Sequence, residues 1–378
     1  MFLRGTARRL HSRNVPARRP SNARSLGRRI AAWFAVHARK LPWRGTRDPY
    51  AIWISEIMLQ QTQVKTVIPY YERWMREWPT LAAFAAADAD RVLKLWEGLG
   101  YYRRARHAQE AAKRIVDKYG GRFPEQLEEI LALPGVGRYT AGAICSIAFN
   151  VPAPILDGNV IRVLCRVYGV TGNPRGKSAN ERLWRLAGEL ALAAPDRSAL
   201  NQGLMELGAL VCLPRNPQCG ACPVRADCVA RRTGRTETLP MLDKRPPPLA
   251  RRFAAFLARR NGRFLVRRRP ADGVNAGLWE FPNVETGADG KLPEEARLFS
   301  ILDSKPVCRI RHSITRHRIL LEVFSARLAG SGTPPGCRWV APEEMKQLAF
   351  TGAHRKIPGL ARRADEIKTR KRPGRPAT

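Results

Sequence analysis

The chain has 378 residues, 44% of them hydrophobic, enough apolar material for two or three cored domains and too much for a globally disordered chain. Its 67 Lys and Arg against 32 Asp and Glu give a formal charge of +35, which implies a polyanionic partner. No apolar run approaches the ~20 residues of a spanning helix and no signal-peptide core follows the first arginines, so nucleic acid is expected rather than a membrane.

Residues 1–27 are rich in Arg and carry no acid, and read as a basic tail. A transit peptide, a DNA-contacting arm or sequence upstream of the true start are the alternatives. From Ile30 to Val229 apolar residues recur at three-to-four spacing, as in Leu127-Ile130-Leu131 and Val160-Leu164-Val167. Prolines at 42, 49, 69, 79, 124, 134, 152, 154, 174, 195 and 214 cut this pattern into short helices, so 28–211 reads as an all-α domain. A cysteine-rich loop at 212–230 follows, then a linker at 231–249 stiffened by Pro240 and Pro246-Pro247-Pro248. Beyond it Phe253–Leu257, Phe264–Val266 and Ile319–Phe324 read as strands and Asn261-Gly262 as a hairpin turn, giving an α+β domain at 250–346. The end, 347–378, is a second basic tail, loosely like a minor-groove hook and disordered when free.

Leu133-Pro134-Gly135-Val136-Gly137 is a tight turn before a helix starting near Arg138. The backbone N–H groups of Gly135, Val136 and Gly137, with the positive end of that helix, make a seat for one DNA phosphate. Asp157 follows in Ile155–Val160. It reads either as a carboxylate brought to the same cleft or as the N-cap of a helix beginning near Asn159. Glu56 lies among apolar and amide neighbours in Ile54–Gln63, which should raise its pKa and let it donate a proton near neutral pH; pairing with Arg44 or Lys65 is the alternative. One protonated and one ionised carboxyl form the usual machinery for breaking a glycosidic bond. On DNA the target base must leave the stack, and Gln60, Gln61, Tyr101 and Tyr102, flanked by Arg103, Arg104 and Arg106, are candidate wedges, ordinary packing being the alternative for the tyrosines. Cys212-x6-Cys219-x2-Cys222-x5-Cys228 suits a 4Fe-4S cluster better than zinc, which favours two separated short pairs. Cys145, Cys165, Cys308 and Cys337 are scattered and read as buried or incidental.

Together these residues resemble the helix-hairpin-helix DNA glycosylases with an iron-sulfur loop. Within that group Ser55–Gln63, Gly98–Arg103 and Pro154–Val160 are similar to the adenine DNA glycosylases, which remove adenine mispaired with 8-oxoguanine. The resemblance implies that Glu56 protonates adenine, that Asp157 stabilises or briefly traps the sugar cation, and that Asn159 and Tyr139 position water and the transition state. It places Trp43, Arg44 and Glu206 in the adenine pocket, Glu206 accepting from the exocyclic amine, and Gln61 and Tyr102 at the vacated stack. The partner is then double-stranded DNA with an A:8-oxoG or A:G mispair, bound by a monomer in a bacterial cytoplasm at the nucleoid; organellar targeting by the basic N-terminus is the alternative.

Two other readings stay open: an endonuclease III type acting on oxidised pyrimidines through a lysine imine, and an iron-sulfur DNA-binding protein without catalysis. Tyr139 stands where that lysine would be, and a phenol forms no imine, so a monofunctional enzyme is expected. Gly277–Pro282 resembles part of a Nudix fold, a generic α+β accessory domain being the alternative. Residues 283–304 offer Glu285, Glu294 and Glu295 without the metal-binding pattern of a catalytic Nudix helix, so nucleotide hydrolysis is not expected. Where the family reads the lesion with Phe-Ser-His, this chain has Ile314-Thr315-Arg316.

Overall fold

A computed structural model describes residues 22–243, 246–287 and 291–362. The tail residues 1–21 and 363–378, with their expected basic arm and hook, lie outside the described residues. The chain divides into two compact units: the described residues up to Lys40 with Arg138–Asp243, and Leu41–Gly137 with the described residues from Pro246 onward. The helical region is therefore not one continuous piece, as its uniform periodicity suggested.

In the first unit, helix Ala23–His37 is capped by Asn22, whose side chain accepts from the Arg24 N–H, and buries Leu26, Ile30 and Trp33. It begins inside the stretch expected to be tail, because Arg24, Arg28 and Arg29 mask a proper apolar stripe. This helix packs on Arg197–Leu210, where a Cβ at Gly203 would come within 2.9 Å of Ile30. Helix Arg138–Phe149 starts where the sequence placed it. At its second turn a Cβ on Gly142 would meet the Pro154 carbonyl oxygen at 2.1 Å, so only glycine lets the segment before Asp157 return along the helix. Within the expected linker Leu239 is 1% exposed and packs with Cys228 and Ala230.

The helical part of the second unit holds Pro49–Leu59, Val64–Glu77, Leu81–Ala85, Ala89–Trp96, Arg103–Tyr119 and Leu127–Leu131 around Trp53, Trp74, Phe84 and Trp96. Pro49 opens its helix at the first position, where a missing N–H costs nothing, with Asp48 capping Tyr50 and Ala51. Pro69, expected to end a helix, instead lies inside Val64–Glu77.

The described strands of this unit are β1 (Leu249–Arg260), β2 (Arg263–Arg268), β3 (Trp279–Glu280), β4 (Asn283–Glu285), β5 (Phe299–Ile301), β6 (Cys308–Ile314), β7 (His317–Leu328) and β8 (Cys337–Val340). β1 and β7 run parallel from Leu249↔His317 to Ala258↔Ala326, β4 pairs β1, β5 and β6 pair β7, and β2 carries β3 and β8. Asn261 and Gly262, both at positive φ, close the β1–β2 hairpin at Arg260↔Arg263 as the sequence signals. Both faces of β1 are covered, Ala255 and Leu257 on one and Ala254 and Phe256 on the other. The domain runs past residue 346: Phe350, Ala353, Ile357 and Ala361 complete its core.

Candidate active site and cysteine loop

The turn expected to hold a phosphate is tightly built. Gly135 has φ +72, and a Cβ there would lie 2.6 Å from His107 on helix Arg103–Tyr119. Val136 is buried and anchors the turn, while Gly137 is exposed with open space beside it. His107 is itself held by Arg103, whose Nε donates to its Nε2 at 3.2 Å.

Asp157 does what the bland reading required and more. Its Oδ1 caps helix Gly158–Tyr168 by accepting from the Val160 N–H at 2.7 Å, and its Oδ2 accepts from Asn159 Nδ2 at 3.1 Å. Asn159 Oδ1 in turn accepts from Arg162 Nη2 at 2.9 Å, and Arg162 Nε donates to the Cys212 carbonyl at 2.6 Å. A hydrogen-bonded path thus links Asp157 to the first cysteine of the loop. It depends on Gly208, where a Cβ would stand 2.5 Å from the Asn159 Cβ. Burial pushes the Asp157 carboxyl above its ordinary range, against the lowering pull of the Val160 and Asn159 donors. The acid expected to be fully ionised is therefore one whose ionisation its surroundings resist.

Tyr139 is half-buried, its hydroxyl directed at Met205 Sδ, 3.2 Å away. Glu206, expected to accept from a base, is 1% exposed and takes both Arg39 Nε at 2.8 Å and Arg39 Nη2 at 2.7 Å, with the Arg39 N–H at 2.9 Å. Its carboxylate is committed to Arg39, which accounts for its burial and leaves less of it for a ligand amine. Sequence reasoning missed this pair, whose members lie 167 residues apart.

In the second unit Glu56 is 5% exposed on a helix buried from Tyr50 to Met58. Trp43 is buried with its ring edge-on to Tyr71 at 5.3 Å, and Arg44 is half-buried beside it in sequence, in the turn closed by its N–H on the Leu41 carbonyl. The helix carrying Glu56 stops at Leu59 rather than running to Gln63, and Gln61 is exposed with φ +58. Tyr102, expected at the vacated stack, is 5% exposed with its hydroxyl accepting from the Gly98 N–H. Its neighbour Tyr101, at φ +47 and 46% exposed, is the ring that faces solvent. Adjacent tyrosines at a helix start point to different sides, and only the helix register decides between them.

Cys212, Cys219, Cys222 and Cys228 line one small cavity with Val163, Leu207 and Val224. Four cysteine thiols around one cavity are the donor set a 4Fe-4S cluster takes. Burial pushes the Cys222 thiol up to about 11, a cost that the positive charge of iron held there would offset. Arg166, 2% exposed and missed in the sequence, donates to the Leu213 carbonyl at 2.6 Å and points the same nitrogen at Cys212 Sγ, 3.3 Å away. In the β domain Ile314 pairs with His317 across a two-residue turn whose Thr315 has φ +50; Thr315 and Arg316 are exposed at its tip. Among the described residues no helix is long and apolar enough to cross a membrane.

Three family models match the chain. Residues 54–189 match the HhH-GPD superfamily of base excision DNA repair proteins, residues 212–228 the iron-sulfur binding domain of endonuclease III, and residues 254–358 the NUDIX domain. The adenine DNA glycosylase of Rattus norvegicus is 37% identical over 395 residues, covering 87% of this chain and 76% of that protein. That of Homo sapiens is 35% identical, covering 87% and 72%. Among solved structures a thermostable thymine-DNA glycosylase matches at TM-score 0.51 and 30% identity, covering 56% of this chain and 97% of that one. An all-α helix-hairpin-helix region with a 4Fe-4S loop, followed by a Nudix-like domain, is the architecture these matches describe. The chain belongs to the adenine DNA glycosylase family of base excision repair proteins.

Proposed function

We propose that the chain hydrolyses the N-glycosidic bond of adenine set opposite 8-oxoguanine or guanine in duplex DNA, and that it does so without a lysine imine. The observation that carries this reading is Glu56, an acid 5% exposed on a helix buried from Tyr50 to Met58. In this reading the buried Glu56 carboxyl gives a proton to the base, turning adenine into a neutral leaving group. Asp157, ionised against the resistance of its surroundings, opposes the positive charge that then develops on the sugar. Asn159 holds one oxygen of that carboxylate at 3.1 Å, which fixes its orientation before the reaction starts. Tyr139 orders the water, and Trp43 and Arg44 contribute to the adenine pocket.

On the DNA side, the Gly135–Gly137 backbone seats a phosphate, Gln61 and Tyr101 fill the space the base leaves, and Thr315 and Arg316 read the opposite lesion. Cys212, Cys219, Cys222 and Cys228 would hold a 4Fe-4S cluster, which would fix the cysteine loop beside Arg162 and Arg166. The protein acts as a monomer at the bacterial nucleoid.

A panel of duplexes with one adenine, one oxidised pyrimidine or one mismatched thymine tests the reading. Release is expected at adenine alone, with strand breakage only after hot alkali. A good yield of borohydride-trapped protein–DNA adduct, or release at the oxidised pyrimidine, would overturn it.

A further inference from the structure

Arg104 is the second residue of helix Arg103–Tyr119, and its guanidinium is spread over five backbone carbonyls. Nη1 donates to Ile57 at 2.5 Å, Met58 at 3.2 Å and Gln60 at 2.7 Å, oxygens that the end of helix Pro49–Leu59 leaves without helical partners. Nη2 donates to Leu99 at 3.3 Å and Gly100 at 3.1 Å, in the loop ahead of its own helix. The same cation lies 5.1 Å from the Trp96 ring centroid and 5.6 Å from that of Tyr101, and Trp96 Nε1 donates to the Gly100 carbonyl at 3.0 Å.

One side chain therefore joins two loops that are 40 residues apart in sequence, and each loop carries an exposed residue in the left-handed region: Gln61 at φ +58 and Tyr101 at φ +47. Such backbone is unfavourable for residues with a Cβ and persists where the surroundings over-determine it. A planar fork suits this task and an ammonium does not, because several carbonyls in different directions must be met at once. We propose that Arg104 is a positioning residue that presents Gln61 and Tyr101 as one paired wedge for the stack that adenine vacates. This rests on the base-release reading above.

The test uses the full chain with its cluster, in single-turnover release from two duplexes: adenine opposite 8-oxoguanine, and adenine opposite an abasic site, where little stacking has to be replaced. Arg104→Gln is expected to slow the first by about 10- to 100-fold, the scale set by a misplaced group, and the second by far less. A 2-aminopurine beside the target adenine should show a matching loss of extrusion. Adding Tyr101→Ala to Arg104→Gln should slow release little further, since both act on one wedge. Equal slowing on both duplexes, or effects of the two substitutions that simply add, would overturn the proposal and leave Arg104 a general support of the helix carrying Glu56. If Arg104→Gln does not fold, Arg104→Lys carries the same comparison, a point charge replacing the fork. Absence of release by the unaltered chain on both duplexes would instead strike the activity reading.

Discussion

Asp157 offers the sharpest separation of a structural from a chemical role. Asn caps helices as well as Asp, so Asp157→Asn keeps the bond from the Val160 N–H and loses only the one from Asn159, where two amide nitrogens would meet. One such bond is worth about 1 kcal/mol, and removing a buried charge works against that loss, so the net loss should not exceed roughly 1 kcal/mol. Asp157→Ala loses the cap as well, about 2 kcal/mol in all, or about 4–8 °C for a unit of this size. Base release should fall at least about 100-fold in both, the scale of removing one group that stabilises transition-state charge. The folded pKa is raised above the unfolded value of 3.8, so the acid's contribution to stability is present in full below that value and lost as pH rises through the folded pKa. The parent should therefore gain stability relative to Asp157→Asn on acidification, as read by urea unfolding at neutral and acid pH. The acid limb of its base-release profile should lie above the ordinary carboxylate range. Asp157→Asn releasing adenine within about tenfold of the parent rate would refute the reasoning and reduce Asp157 to a cap.

Three further outcomes follow from packing and charge. Arg39→Ala strips the buried Glu206 carboxylate of its two guanidinium donors, leaving only the backbone N–H of residue 39, and should cost roughly 2 kcal/mol or more in denaturant unfolding; Glu206→Gln, which leaves Arg39 able to reach water, should cost less. Gly142→Ala drives a methyl into the Pro154 carbonyl and should lower stability by about 3 kcal/mol while slowing release, because the displaced segment leads to Asp157. Thr315→Ala with Arg316→Ala should erase the preference for adenine opposite 8-oxoguanine over adenine opposite guanine in competitive release; an unchanged preference would place lesion reading elsewhere.

Much of this was legible in the residues because local rules govern it. Asn261-Gly262 demands a hairpin and forms one, and a helix does begin at Arg138 after the Gly-Val-Gly turn. Glu56 is buried as its apolar neighbours in Ile54–Leu59 implied. What escaped was set by distance or by a single residue of register. Arg39 and Glu206 meet across 167 positions, and no local pattern announces them. Tyr101 and Tyr102 differ only in which side of a helix start they occupy. Composition misled at both ends: arginines hid the stripe Leu26, Ile30 and Trp33, and the basic character of 347–378 hid Phe350, Ala353, Ile357 and Ala361, which carry a helical spacing into the core of the β domain. Pro69, one of the expected breaks, lies within Val64–Glu77, so a proline alone does not mark a helix end.

The central claim, that a sheltered acid on helix Pro49–Leu59 protonates the base to be released, is tested most directly by one paired measurement on Glu56→Gln. With a duplex bearing a single adenine opposite 8-oxoguanine, the parent should give an alkali-labile site at that adenine, while Glu56→Gln should bind the duplex with the parent's affinity and give none. Adenine release by Glu56→Gln at the parent's rate would contradict the account.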